Sequence, residues 1–289
     1  MKNLLDHIVF RPLVEGTERA AGIAAADGEL SGLVKEGVAA FHEGDHAFLR
    51  FLKENSACAQ AKLGGDAGCF SMLIFAAVFP ELLKLYGRRG IPETILSATL
   101  EEFNEKAEEF YGFNKRGGIY HDWLLNHMRG RLFQIGRLQY IVDKGFGFEN
   151  GPIPAGADAL DIHITAHGRL DPGACQKSLD GAIAFAARHF PERDYKAFTL
   201  NSWLLDEQLE ELLPPESNIV RFSRRFTRLP GEYDAGWKVF HWIFGFDKKP
   251  EEYQSHIPQT ALQRGARQLL DEGRWFKGRA GFIAIDAMP

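Results

Sequence analysis

Three side chains able to do chemistry fall at element junctions inside residues 197–222: Ser202, Asp206 and Asn218. An extended run ends in Ser202-Trp203-Leu204-Leu205-Asp206, passes into a short amphipathic helix and leaves it through Pro214-Pro215 into a second extended run. Junctions of this kind are where α/β folds place their sites. A fourth candidate, His163, lies on an earlier strand in which Leu160, Ile162 and Ile164 point one way and Asp161, His163 and Thr165 the other. Histidine exchanges its proton near neutral pH, so His163 is the candidate general base. Asp161, on the same face, either orients it or faces solvent. Ser202 is the candidate proton donor or substrate contact. Asp206 reads as the N-cap of the helix that begins at Glu207, and Asn218 as either a turn residue or a substrate contact. A hydrolase built from Ser202, His163 and Asp206 is disfavoured, because the chain has no Gly-x-Ser-x-Gly elbow and bulky Trp203 follows the serine.

Other clusters carry less. His121 and His127 are six apart on a helix and point to different sides, so no metal is expected. Arg221, Arg224, Arg225 and Arg228, read on an alternating strand, divide between two faces, which predicts a solvated, ion-paired edge. The formal net charge of -5 also argues against a nucleic-acid partner.

The elements that must position these residues divide the 289-residue chain into two domains, about 1–135 and 136–289. With 45% hydrophobic and 25% charged residues the composition is that of a globular protein. Cys58, Cys69 and Cys175 lack zinc-site spacing and read as reduced thiols, and the first residues lack a signal-peptide core, so a cytoplasmic location is expected. The most apolar run, Cys69 to Phe79, ends at Pro80-Glu81, short of the roughly 20 residues of a membrane helix, so no membrane partner is expected.

From Asp27 to about Gly136 the apolar period is helical, with Leu124, Met128, Leu132 and Ile135 on the face of the last helix. Leu138 to Val142 then predicts a strand, Ala159 to Ala166 a strand with one polar face, and Asp171-Pro172 the start of a helix through His189. The strand ending at Ser202 completes a βαβ crossover, which predicts parallel pairing of 159–166 with 197–205. Ile219 to Thr227 and Trp237 to Phe246 read as a hairpin about Pro230-Gly231. A final helix carries Leu262, Ala266, Leu269 and Leu270.

This element order resembles the core of the GNAT acyltransferases. Four segments in order carry a closer resemblance: Arg131-Leu132-Phe133-Gln134-Ile135-Gly136-Arg137-Leu138-Gln139-Tyr140; Leu160-Asp161-Ile162-His163-Ile164; Ser202-Trp203-Leu204-Leu205-Asp206 with Ser217-Asn218-Ile219; and Ile257-Pro258-Gln259-Thr260-Ala261-Leu262-Gln263-Arg264. They are similar to a bacterial family that joins a helical acyltransferase N-terminal domain to a GNAT-like C-terminal domain.

The resemblance implies an α+β (α/β) protein, an all-helical domain followed by a mixed β-sheet domain with flanking helices. Its parallel strand pair is expected to splay around the pantetheine arm of acyl-coenzyme A, with a backbone N–H as oxyanion donor. It implies an N-acyltransferase carrying an acyl group, acetyl first, from acyl-CoA to the amine of a small-molecule acceptor. His163 and Ser202 are the expected catalytic residues, and Ile164, Ala166, Gly168, Arg169 and Asn218 the expected coenzyme contacts. The segment His167-Gly168-Arg169-Leu170-Asp171-Pro172-Gly173 departs from the usual Gly-x-Gly or Gly-x-Ala element. Asp171, as N-cap, would occupy the N–H groups that a phosphate needs. The alternative is a ligand-binding or regulatory protein that keeps the fold without turnover.

Overall fold

The computed structural model describes residues 3–148, 153–166 and 168–287. The chain forms two compact units, Met1–Leu132 and Phe133–Pro289.

The first unit is helical, with α1 (Arg11–Ala26), α2 (Gly28–Glu43), α3 (Asp45–Glu54), α4 (Ser56–Leu63), α5 (Phe70–Arg89), α6 (Glu93–Leu100), α7 (Glu102–Asn114) and α8 (His121–Met128). Its centre is α5, whose residues from Phe70 to Phe75 are buried without interruption. A helix that is apolar all round belongs inside a core. Edge-on ring contacts join Phe48 to Phe41 and Phe103 to Phe75 around it. Gly37 lets α2 approach, since a Cβ there would lie 2.3 Å from Ile74 Cδ1. Pro80 sits inside α5, which runs on to Arg89 rather than ending at Pro80-Glu81. The helical run Ser56–Arg89 is long and apolar enough to cross a membrane by length and composition, but 56% of its apolar window is buried within the protein.

The second unit is built on a seven-stranded mixed sheet. Its elements are β1 (Leu132–Ile135), β2 (Leu138–Gly145), β3 (Asp158–His163), α9 (Pro172–His189), β4 (Ala197–Ser202), α10 (Gln208–Leu212), α11 (Asn218–Ser223), β5 (Thr227–Arg228), β6 (Tyr233–Asp234), α12 (Lys238–Phe244), α13 (Ala261–Asp271) and β7 (Lys277–Ala284). The strand order is β1-β2-β3-β4-β7-β5, with β6 also on β7. β3 and β4 pair parallel through the α9 crossover, while β2 with β3 and β4 with β7 are antiparallel.

Two expectations fail here for identifiable reasons. Leu132 and Ile135 continue a helical spacing, yet α8 ends at Met128 and Gly130, at φ +61°, turns the chain into β1. The expected hairpin of 219–227 and 237–246 is instead the helices α11 and α12. Ser217 Oγ caps α11 by accepting from Val220 N, and Val239, Phe240 and Ile243 bury one side of α12. That spacing of one and four is helical, and short apolar runs disguise it as alternation. The turn at Pro230-Gly231 does not join two mutually paired strands either. Thr227 and Arg228 face Phe282 and Gly281, and Tyr233 and Asp234 face Gly278 and Lys277, so β5 and β6 form one interrupted edge strand along β7. Proline is tolerated at such an edge break.

Asp206 fastens this unit. Its carboxylate, 3% exposed, accepts from Gln208 N at 3.0 Å, Gln208 Nε2 at 2.9 Å and Lys277 N at 2.6 Å, joining the start of α10 to the start of β7. The expected N-cap position is instead held by Glu207, since α10 begins at Gln208; Asp206 closes the turn one residue earlier and is a cross-link as well. Asp206→Ala should lower stability by about 1–3 kcal/mol in denaturant unfolding, because it strands buried donors, and Asp206→Asn, which keeps an acceptor, should lose less.

Candidate functional site

The parallel pairing of β3 with β4 runs through Ala159↔Ala197, Leu160↔Phe198 and Asp161↔Thr199, and no further rung joins the two strands among the described residues. Beyond that rung each strand keeps its outer partner. Ile162 and His163 pair with Tyr140 and Gln139 of β2, while Leu200, Asn201 and Ser202 pair with Gly281, Ala280 and Arg279 of β7. The centre of the sheet therefore forks, with each arm supported from outside. A cause lies on β2, where Ile141 faces Asp161 but Lys144 faces Ala159. One extra residue is inserted at the level of the last common rung. Such a bulge bends and over-twists its ribbon, carrying the end of β3 away from β4.

Around the fork the side chains sort by parity. Asp161 and His163 share one face of the sheet with Thr199 and Asn201, and Leu160 and Ile162 share the other with Phe198, Leu200 and Ser202. Thr199 Oγ1 donates to Asp161 Oδ1 at 2.7 Å across the last rung. Asp161 is half-buried rather than turned to solvent. Burial pushes its carboxyl above the ordinary range, while the Thr199 hydrogen bond and the charges of Lys144 and His163 oppose the shift. Thr199 was missed in the sequence; the signal for it was the parallel register, which sets it against Asp161.

Ser202 stands apart from His163, on the opposite face, and its Oγ accepts from Leu204 N at 3.1 Å to start the short 3-10 turn Trp203–Leu205. Asp206 is committed to Gln208 and Lys277. Ser202, His163 and Asp206 thus do not assemble as a hydrolytic set. The arginines are ion-paired in part as expected, but from the turn after α11 and from β5: Arg224 and Arg228 both reach Glu210.

β3 ends at His163, so Ile164, Thr165 and Ala166 lie in the loop that follows rather than in a strand. His167 lies outside the described residues. Gly168 is at φ +86°, a conformation that glycine adopts freely, and Arg169 is exposed. The loop leads to α9, where Asp171 Oδ1 accepts from Ala174 N at 2.8 Å and Pro172 brings no N–H. Asn218 is the first residue of α11, half-exposed. Arg137, between β1 and β2, was missed by sequence reasoning, yet its guanidinium grips the loop after β3. Nε donates to Arg169 O at 2.9 Å, Nη1 to Thr165 Oγ1 at 3.1 Å, and Nη2 to Thr165 O at 3.2 Å and Gly168 O at 2.9 Å. No group of three or more His, Cys, Asp or Glu side chains able to hold a metal occurs among the described residues.

Residues 132–283 match the family described as GNAT-like C-terminal domain, and residues 2–130 match N-acyltransferase N-terminal domain. No curated protein sequence matches the chain. Among solved structures, an acyltransferase mutant in complex with octanoyl-CoA is similar at a TM-score of 0.76 and 26% identity, over 97% of this chain and 86% of that one. An acyltransferase in complex with decanoyl-CoA and teicoplanin is similar at 0.72 and 26%, over 96% and 87%. Another acyltransferase structure, with decanoyl-CoA, is similar at 0.68 and 29%, over 76% and 67%. The chain belongs to the two-domain acyltransferase family that joins an N-acyltransferase N-terminal domain to a GNAT-like C-terminal domain.

Proposed function

We propose that this protein transfers an acyl group from an acyl-CoA thioester to the amine of a small-molecule acceptor by direct attack. The observation that carries the reading is the fork beyond Asp161↔Thr199. An extended pantetheine arm fits there between two strand edges, whose backbone groups would meet its amides as another strand would. Attack on the thioester carbonyl develops an oxyanion, which an N–H on the inner edge of β4, within Leu200–Ser202, would stabilise. His163, on the face that carries Asp161, Thr199 and Asn201, takes a proton from the acceptor ammonium so that the neutral amine attacks. Collapse of the tetrahedral intermediate then breaks the C–S bond and releases coenzyme A as its thiolate, which takes up a proton as it leaves. Asp161, held by Thr199, sets the charge beside it. Ile164, Ala166, Gly168 and Arg169 border the path of the coenzyme, with Asn218 as a further contact. Ser202 acts through the turn that it caps.

The octanoyl and decanoyl thioesters held by the similar structures support a medium-chain acyl group in preference to acetyl. The one complexed with teicoplanin supports an acceptor of natural-product size. The free thiols Cys58, Cys69 and Cys175 support a reducing, cytoplasmic setting. One observation favours the rival reading, a fold kept without turnover: Asp171 takes an N–H at the start of α9 that a phosphate would use.

Titration separates the two. Acyl-CoA at 100 times its dissociation constant should stabilise the protein by about 2.7 kcal/mol, with octanoyl- and decanoyl-CoA binding more tightly than acetyl-CoA. Absence of any melting shift at millimolar thioester would end the transferase reading. His163→Ala should lower kcat by about 100-fold while coenzyme binding is retained. A variant that turns over like the wild type removes His163 from the mechanism.

Asp161 adds a dependence of stability on pH. Its carboxyl titrates above its ordinary 3.8 in the fold, so the folded state holds the proton more tightly than the unfolded chain. That contribution is full below 3.8 and is lost as pH rises through the raised value. Asp161→Asn keeps an acceptor for Thr199 without the titration. Its melting temperature should therefore exceed that of the wild type at neutral pH, and the difference should shrink on acidification. Parallel melting profiles for the two proteins between about pH 3 and pH 8 would contradict a burial-raised carboxyl.

A further inference from the structure

Coenzyme A presents a pyrophosphate, and the usual receiver of one, a helix N-terminus behind a glycine-rich loop, is partly closed here. Pro172 has no N–H, and Asp171 both occupies Ala174 N and brings a negative charge. The cation under the loop is Arg137. It donates to the carbonyls of Thr165, Gly168 and Arg169 and to the Thr165 hydroxyl, four acceptors in that one loop.

A trans peptide plane sets its N–H opposite to its C=O. Turning the carbonyls of Gly168 and Arg169 onto the guanidinium therefore turns the N–H groups of Arg169 and Leu170 to the other side of the loop. Successive N–H groups facing one way, over a fixed positive charge, form an anion-receiving concavity. The clamp is itself anchored. Ser178 of α9 donates to Ile135 O and accepts from Leu138 N at 3.0 Å and the Tyr140 hydroxyl at 2.9 Å. Between them Gly136 takes φ +62° to make the turn that presents Arg137.

We propose that Arg137 is the positioning residue of the coenzyme pyrophosphate site. From beneath, it holds the loop after β3 with its donors outward and supplies the charge that the missing Gly-x-Gly element would otherwise have to do without. This rests on the acyl-CoA reading above. Arg137 acts through the loop and not by contact with the reacting thioester, so its loss falls on the part of the coenzyme beyond pantetheine.

The test compares octanoyl-CoA with octanoyl-pantetheine, which has the same thioester and no pyrophosphate, as substrates of the full chain. In Arg137→Ala the ratio of kcat/KM for the CoA ester to that for the pantetheine ester should fall by about tenfold or more, mostly through KM. Arg137→Lys keeps the charge but not the fork that spans three carbonyls, and should fall by less. Calorimetry with coenzyme A and with pantetheine reads the same contrast without turnover: affinity for coenzyme A drops in both variants and affinity for pantetheine does not. Should Arg137→Ala fail to fold by circular dichroism, the contrast is read in Arg137→Lys. Equal losses for both ligands, or no loss for either, overturns the proposal. A wild-type protein that turns over neither ester refutes the transferase reading instead, and the two binding titrations still decide the role of Arg137.

Discussion

Hydrogen bonding in a sheet is a strict account of donors and acceptors, and the loss of pairing between β3 and β4 past Asp161↔Thr199 is the constraint that the second unit is arranged around. Two central strands separate only if each is held from its other side, and here β2 holds one arm and β7 the other. The extra residue on β2 gives the bend, and the cap by Ser202 gives β4 a defined end, so the fork is a set geometry and not a frayed one. Among the described residues no strand pairs with its inner edges, the setting in which the proposal places the pantetheine arm.

The proposed pyrophosphate site inverts the usual use of a helix N-terminus. A negative N-cap at Asp171 makes α9 a stable helix and a poor anion site at once. In that proposal the loop before it takes over, its carbonyls gathered by Arg137, a residue contributed by a hairpin some 30 positions earlier in the chain. α9, through Ser178, fixes that hairpin in turn. Helix, hairpin and loop thus constrain one another in a closed circuit.

Much of this was legible in the chain and some of it was not, for physical reasons. The crossover of β3, α9 and β4 was readable because alternation, a Asp-Pro start and helical periodicity are local signals, and the four family segments placed it in a known architecture. Asp206 was readable as a residue of the turn that starts α10, though one position before its N-cap; its bond to Lys277 was not, because a partner 71 positions away leaves no local trace. Short elements misled. Leu132–Ile135 kept a helical spacing by coincidence, and α11 and α12 are each less than two turns long, too short for a period of 3.6 to be told from one of two. At the candidate site, sequence alternation placed His163 correctly on the polar face with Asp161. It could not show that Ser202 falls on the other face, because that depends on the register between strands, nor that Arg137 serves the loop.

The broken run of β5 and β6 along β7 has a consequence for the life of the molecule in solution. A sheet edge of full length offers a ready template on which another chain can add a strand, the first step toward stacked aggregates. Here that edge is filled by two stubs of two residues, parted by Pro230-Gly231, and the ring of Tyr233 packs over Gly278 where a Cβ would collide with it. An incoming strand would meet an occupied and irregular margin. The margin of the sheet along β7 is thereby kept from templating another strand, while the fork between β3 and β4 stays open among the described residues.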